Sequence, residues 1–221
     1  MDVIDALQSR HCTRAFTEKP IDRELLMKVL DAANTSPSYA NSQPWEVFVV
    51  AAEPLKKLRN VFIEKFRAGI PMTPDIPMAK LWPEPYKSNI GSTGAAHLEH
   101  LGIARDDKAK RAENLVKSLN CFGAPAVIYL CLSKELTHWS FYDLGLFSQS
   151  LMLAAQHYGL NTMPAAVIAV YPDLIREELA IPDNLNIILG IAIGYGIPGD
   201  LNNQFFTTRR SLDEFVRIKG I

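Results

Sequence analysis

The chain has 221 residues, 48% hydrophobic and 21% charged, which suffices for a full hydrophobic core without disulfides or metals and excludes a disordered or collagen-like polypeptide. A count of 23 Lys plus Arg against 24 Asp plus Glu leaves a net charge of −1, which argues against a nucleic-acid binder with a broad phosphate-neutralising face. Cys12, Cys121 and Cys131 are odd in number and lack paired spacing or a CxxC, so a disulfide framework is not expected and a reducing cytoplasm is. The first residues carry no apolar run behind a basic region, and stretches such as Ala124 to Leu132 are too short to span a bilayer, which disfavours secretion and membrane insertion.

From Asp2 to Ser9 the apolar positions Val3, Ile4 and Leu7 recur at helical spacing behind a possible Asp2 cap. Asp22 can cap a second helix with Leu25, Leu26, Val29, Leu30 and Ala33 as its buried stripe, stopped at Ser36-Pro37. A polar loop, Ser38 to Pro44, leads into Glu46–Ala51, which is β-branched and aromatic and reads as a strand; Pro54 then suits the first turn of a helix to about Arg67. Residues 68–90 carry Pro71, Pro74, Pro77, Pro83 and Pro85, a density that denies a regular element its donors and predicts a mobile surface excursion or lid.

Helical patterning returns from about Ala95 to Leu119, interrupted near Gly102. The continuous apolar run Pro125 to Leu132 predicts a strand buried on both faces. Phe141 to Tyr158 predicts the longest, central helix, with Leu144, Phe147, Leu151, Ala154, Ala155 and Tyr158 on one side and Gly159 at its end. A short helix over Pro172 to Ala180, an apolar strand over Asn186 to Ile193, and an irregular arm over 197–221 with a last amphipathic piece complete the chain. With no internal repeat or linker, this order predicts one α+β domain over residues 1–221, a sandwich without regular βαβ alternation.

Gly194-Tyr195-Gly196-Ile197-Pro198-Gly199 satisfies GxGxxG, but Pro198 sits where a helix should begin and too little chain remains for a dinucleotide-binding unit, so it reads as a glycine-rich turn. His97 and His100 flank Glu99 on a helix without a third ligand at any recognisable spacing, so no metal site is expected and an exposed helix face accounts for them. His11 beside Cys12 lacks any triad signature. More informative is the stretch Ser9 to Phe16, where Arg10, His11 and Arg14 follow a helix without acidic partners; Arg209-Arg210 forms a second unpaired cationic pair near the far end. The planar fork of arginine matches a phosphate monoester bidentately, so two such clusters could hold one phosphate, although ordinary surface charge is the commoner explanation. The segment Pro37 to Trp45, polar between two prolines, is either a rigid connection or a ligand-lining loop anchored by Trp45.

Taken in order, the arginine stretch, the PSYANSQPW loop at Pro37–Trp45, Met163-Pro164-Ala165-Ala166 and the tail Thr207 to Glu214 resemble the FMN-dependent nitroreductase family over nearly the whole chain. The stretches around Glu84-Pro85-Tyr86, Leu101–Asp107 and Phe122–Pro125 look like its nitrobenzoate-reductase branch. The resemblance implies a mixed, mostly antiparallel sheet surrounded by helices in an intertwined homodimer, with two FMN molecules in the interface. It places Arg10 and Arg209 on the FMN phosphate, His11 and Cys12 along the phosphate and ribityl chain, and Arg14 near flavin N1 and O2. Pro37, Ser38, Tyr39 and Asn41 match a loop supplied by the partner subunit. Pro164, Ala165 and Ala166 match the segment over the ring whose backbone N–H reaches N5, and Lys117, Ser118 and Asn120 are the window for a residue at the ring edge.

Three positions depart from the family pattern: Cys12 stands where Ser is usual, Ala165-Ala166 where Glu or Gln is common, and Ser211 where Pro is usual. No side chain here can move hydride, so the implied flavin must, with NADH or NADPH as co-substrate in a ping-pong cycle. The implied activity is two-electron reduction of nitroaromatics or quinones. Arg14 would supply electrostatic support, and Tyr39, Trp82 and Tyr86 are candidate aromatic walls for a planar substrate. A flavin-storage protein, or another flavin reaction such as dehalogenation or desaturation, is the alternative.

Overall fold

The computed structural model of the chain describes residues 2–221. Its strands are β1 (Glu46–Ala51), β2 (Ala126–Ser133), β3 (Asn161–Ala165) and β4 (Leu185–Gly194), joined in one sheet in the order β1-β2-β4-β3. Every ladder in that sheet is antiparallel. The one parallel pairing among the described residues is an isolated bridge between Cys12 and Thr162. The helices are α1 (Val3–Ser9), α2 (Arg23–Ala33), α3 (Ala52–Arg67), α4 (Tyr86–His100), α5 (Lys108–Leu119), α6 (His138–His157) and α7 (Pro172–Leu179).

The apolar run of β2 explains why the sheet is central. All its residues except Ser133 are buried, and because side chains alternate across a strand they feed two cores. Ala126, Ile128, Leu130 and Leu132 pack with Val29 and Ala33 of α2 and Leu144, Phe147 and Leu151 of α6, while Val127, Tyr129 and Cys131 pack with Leu55, Leu58 and Phe62 of α3, Leu119 of α5 and Ile175 of α7. A bulge opposite Leu130 and Cys131 inserts one residue into β4. Ile187 and Ala192 therefore share a core despite opposite parity, as an extra residue in one strand requires. Burial pushes the thiol of Cys121 up to about 11 and that of Cys131 to about 12, which makes both inert; all three cysteines are free.

Local chemistry sets the helix ends. The Asp2 carboxylate accepts from the N–H groups of Ile4 and Asp5 at 2.7 and 3.0 Å, and Asp22 does the same for Glu24 and Leu25 at 2.9 and 3.1 Å, satisfying donors a helix start leaves open. Gly159 closes α6 at φ 77°.

Three elements differ from the sequence expectation. The helical patterning over 95–119 breaks near Gly102 as expected, but α4 reaches back to Tyr86, so the last five residues of the 68–90 excursion are helical: after Pro85 no proline remains to block the ladder. The rest of that excursion holds no regular element, yet its first part is tied down. Thr73 N–H donates to the Val170 carbonyl at 2.9 Å, Tyr171 Oη to that of Ile70 at 3.1 Å, and Asp75 pairs with Arg176 of α7 at 2.6 Å. The third difference is β3 itself, unforeseen because Pro164 interrupts it. Proline is tolerated there because β3 is an edge strand, where a missing ladder donor costs least.

The first glycine of the glycine-rich stretch, Gly194 at the end of β4, is required by packing. A Cβ on Gly194 would lie 2.4 Å from Cδ of Pro125 and 3.2 Å from the Phe16 ring, and a proline ring cannot swing aside. Gly194→Ala is expected to cost about 1–3 kcal/mol, the usual range for overpacking; denaturant unfolding checks it, and a change near zero would mean that β2 and β4 part easily here. Among the described residues no helix is long and apolar enough to cross a membrane.

Candidate functional site

After α1 the chain runs extended along the sheet's open edge, held by backbone bonds at each step. Thr13 N–H donates to the Thr162 carbonyl at 3.1 Å, Phe16 N–H to that of Phe122 at 3.2 Å, and Thr17 N–H to that of Tyr195 at 2.8 Å. The C-terminal arm adds a clamp: Oδ1 of Asn203 accepts from the N–H groups of Arg14 and Ala15 at 2.8 and 3.0 Å, while its Nδ2 donates to the Ala15 carbonyl at 2.8 Å. Residues 189 apart in sequence thus share one rigid contact, and the arm is laid against Arg10–Arg14.

Two cavities flank this segment. The first, about 290 Å³, is lined by Leu7, Gln8, Arg10, His11, Cys12, Arg14, Phe205, Phe206, Thr207 and Arg209. The second, about 310 Å³, holds Arg14, Met78, His97, Asn114, Lys117, Ser118, Phe122, Met163, Ala165, Ala166, Val167 and Asn202. Arg14 belongs to both. Among the described residues Arg10, Arg14 and Arg209 form no ion pair with a carboxylate. Arg209 instead turns Nη1 onto Thr207 Oγ1 at 2.7 Å and the Thr208 carbonyl at 2.9 Å.

The guanidinium of Arg14 stands 5.7 Å from the centroid of the Phe205 ring and donates from Nη1 to the Cys12 carbonyl at 3.3 Å. Burial lowers its proton affinity, opposed by Cys12, but a guanidinium remains charged at any working pH. Desolvated and without a carboxylate, such a cation attracts a ligand anion strongly. Three arginines, a histidine and the Thr207 hydroxyl around the first cavity therefore suit a phosphate. The second cavity, floored by Met163, Ala165, Ala166 and Val167, suits a flat, mostly apolar ring with polar edges near Arg14, Lys117 and Ser118.

The structure thus gathers Arg10, His11, Cys12, Arg14, Ala165, Ala166 and Arg209 around two cavities that share Arg14; Pro164, just before Ala165 in β3, lines neither. Pro37, Ser38, Tyr39 and Asn41 lie elsewhere, against α6. The Tyr39 N–H meets both oxygens of the buried Asp143 carboxylate at 3.2 Å, Gln43 N–H donates to Ser38 Oγ at 2.9 Å, and Trp45 stacks on Phe147 with centroids 4.9 Å apart. Lys117 and Ser118 of the ring-edge window line the second cavity and Asn120 does not; Tyr39, Trp82 and Tyr86 are exposed and line neither cavity.

Sequence reasoning missed Phe205, Phe206, Asn203 and Met78, whose isolated positions in irregular chain carry no periodic signal. It also misjudged His97 and His100. Both are half-buried rather than displayed on a free helix face, because the arm folds back over α4 and sets Phe205 between them and Arg14.

The nitroreductase family profile matches residues 7–195. The chain is 30% identical over 224 residues to a protein of Pseudomonas putida named 4-nitrobenzoate reductase, with 99% of this chain and 96% of that protein covered. To the nitrobenzene nitroreductase of Ectopseudomonas oleovorans it is 29% identical over 216 residues, covering 96% and 94%. Among solved structures, the FMN and NADPH-dependent nitroreductase NfnB of Sphigopyxis sp. strain HMH superposes with a TM-score of 0.96 at 31% identity, each chain fully covered at 100%. The FMN-dependent NfnB from Mycobacterium smegmatis, solved in complex with NADPH, gives 0.94 at 28% identity, with 98% and 97% covered.

Proposed function

Because the chain belongs to the nitroreductase family, we propose that it is an FMN-dependent oxidoreductase that draws electrons from NAD(P)H and reduces nitroaromatics or quinones two electrons at a time. One observation carries the reading: Arg10 and Arg14 from the N-terminal segment and Arg209 from the arm meet around one cavity that opens, through Arg14, beside a second and more apolar one. Relatives named for nitrobenzene and 4-nitrobenzoate, and neighbours named for FMN and NADPH, support it.

The residues fit the flavin. Arg10 and Arg209 would hold its phosphate, with His11 and Cys12 along the adjoining chain; backbone N–H groups can replace the serine hydroxyl that Cys12 lacks. Arg14, fixed by Asn203, would stand at the pyrimidine edge, where its charge stabilises negative charge arriving on the ring and favours two-electron over one-electron steps. Met163, Ala165, Ala166 and Val167 exclude water from one side, and the backbone at Pro164–Ala166 would present the N–H that steadies N5. When bound, the flavin supplies the hydride chemistry that no side chain here can supply. Lys117 and Ser118 remain as groups for the ring edge or an acceptor's polar substituent, and the excursion that brings Met78 to the second cavity would act as its lid.

The functional unit in this reading is a homodimer. The apolar residues Val3, Ile4 and Leu7 of α1, Trp139 and Tyr142 of α6, and Phe206, Leu212, Phe215 and Ile218 of the arm are all exposed on one chain, more apolar surface than a monomer normally leaves in water. The loop bearing Pro37, Ser38, Tyr39 and Asn41, held away from this chain's cavities by Asp143, would reach those of the second copy. Free cysteines fit a reducing cytoplasm.

Purified protein is expected to carry bound flavin and to oxidise NADH or NADPH in steady state when a nitroaromatic or quinone is supplied; flavin without turnover would leave a storage protein. Arg10→Ala and Arg209→Ala should each weaken FMN binding roughly 10- to 100-fold, because a hydrogen bond to a charged group contributes about 1.5–3 kcal/mol. Riboflavin binding should barely change. Equal losses for both ligands would place the phosphate elsewhere.

A further inference from the structure

The helix α4 buries none of its side chains, and its contact with the site runs through two histidines. His97 and His100 pack on the Phe205 ring with centroids 4.9 and 5.6 Å apart, and His100 Nε2 lies 2.9 Å from the Leu201 carbonyl oxygen. The guanidinium of Arg14 stands over that same ring. His97 lines the second cavity together with Arg14 and Lys117, and no carboxylate lines it. Nε2 of His97 is buried without a hydrogen-bond partner among the described residues. Among the described residues nothing would accept from an N–H there, and a buried orphaned donor is costly, so the ring is held neutral with its proton on Nδ1 unless nearby negative charge offsets that cost.

The charges that face this imidazole are mostly positive. Arg14 comes from the N-terminal segment and His100 from its own helix, and Lys117 of α5 lines the same cavity. The arm offers the uncharged Phe205 ring, and the carboxylate of Asp200 is occupied by Asn202 at 2.8 and 2.7 Å. Burial first, then Arg14 and His100, depress the proton affinity of His97. The sign follows: at neutral pH the ring is uncharged, and only negative charge arriving beside Arg14 can make protonation favourable.

We infer that His97 is a positioning residue with a proton linked to the charge of the second cavity: neutral while that cavity holds no negative charge, it takes up a proton when one appears beside Arg14. The inference rests on the flavin reading of the site. There, a hydride from NAD(P)H, two electrons with one hydrogen nucleus, would leave NAD(P)+ and one negative charge on the bound flavin, which a proton from solvent on His97 would offset. A histidine here would thus make the ease of reduction depend on pH more steeply than Arg14 alone can.

Redox titration of the flavin-loaded protein between about pH 5 and pH 8, where histidine titrates, tests this. The wild-type potential is expected to fall more steeply with pH than that of His97→Gln, by up to one proton per two electrons, while His100→Gln keeps the wild-type slope. Superimposed curves for wild type and His97→Gln overturn the proposal. Should His97→Gln lose its flavin, histidine-ring NMR of the wild type decides: the His97 midpoint should rise on reduction by at least tenfold in proton affinity, and a fixed midpoint overturns the linkage. In flavin-free protein, Arg14→Gln should raise the same midpoint, and no movement would show that Arg14 does not act on His97. Failure of the protein to take up FMN at all overturns the flavin reading, and this proposal with it, and is distinguished by that missing uptake.

Discussion

Arg14→Ala is expected to lower turnover roughly 10²- to 10³-fold with every acceptor, the range seen when one preorganised electrostatic group is removed from a site of developing charge. The effect should be this large because Arg14 is desolvated, lines both cavities and faces no carboxylate, so nothing nearby can replace its charge. The fold should survive, since the Asn203 side chain grips the backbone at Arg14 and Ala15 and not the guanidinium. Steady-state kinetics and a potential measurement check it together. The flavin should become harder to reduce as the cation beside it disappears, and a variant with unchanged potential and turnover would strip Arg14 of its role.

The second large effect concerns stability. Asp75 accepts from Arg176 Nη1 and Nη2 at 3.2 and 2.6 Å and from the Ile187 N–H at 2.7 Å, while Nη2 also donates to the Leu185 carbonyl at 2.7 Å. The two side chains are only 13% and 12% exposed. Their hydrogen bonds to Asp75 raise the already high proton affinity of Arg176, so Asp75→Ala strands a buried guanidinium. A loss of about 3–5 kcal/mol is expected, as for breaking one side of a buried pair. Denaturant unfolding measures it, and the double variant Asp75→Ala/Arg176→Met should recover part of the loss. A cost below about 1 kcal/mol would mean that the pair behaves as a surface salt bridge. The same variant should free residues 70–77 from α7 and β4, raising amide exchange in that part of the excursion.

Elements whose signal is local were legible in the sequence. Asp2 and Asp22 as caps, Glu46–Ala51 as a strand, the apolar run of β2 and the glycine that ends α6 all rest on neighbouring residues. The boundary of α4 and the existence of β3 were not. A helix whose faces remain exposed has no apolar period to announce it, and a strand with a central proline reads as a turn unless its edge position is known. The arginine stretch and the arginine of the arm could be named as candidates, but charge alone does not reveal that they meet.

The sequence by itself determined the chemistry on offer: unpaired arginines near both ends, an apolar frame to position them, and motifs shared across the chain with flavin-dependent reductases. Only the tertiary structure decided where that chemistry acts. Asn203 and Phe205, inconspicuous in an irregular tail, fold the arm onto the first segment, and these long-range contacts bring two scattered basic clusters around cavities that share Arg14 and half-bury a histidine beside it. The hydrogen bond from the Arg14 N–H to the Asn203 side chain, across 189 residues, depends on the sheet being formed, and no window of local sequence contains that information.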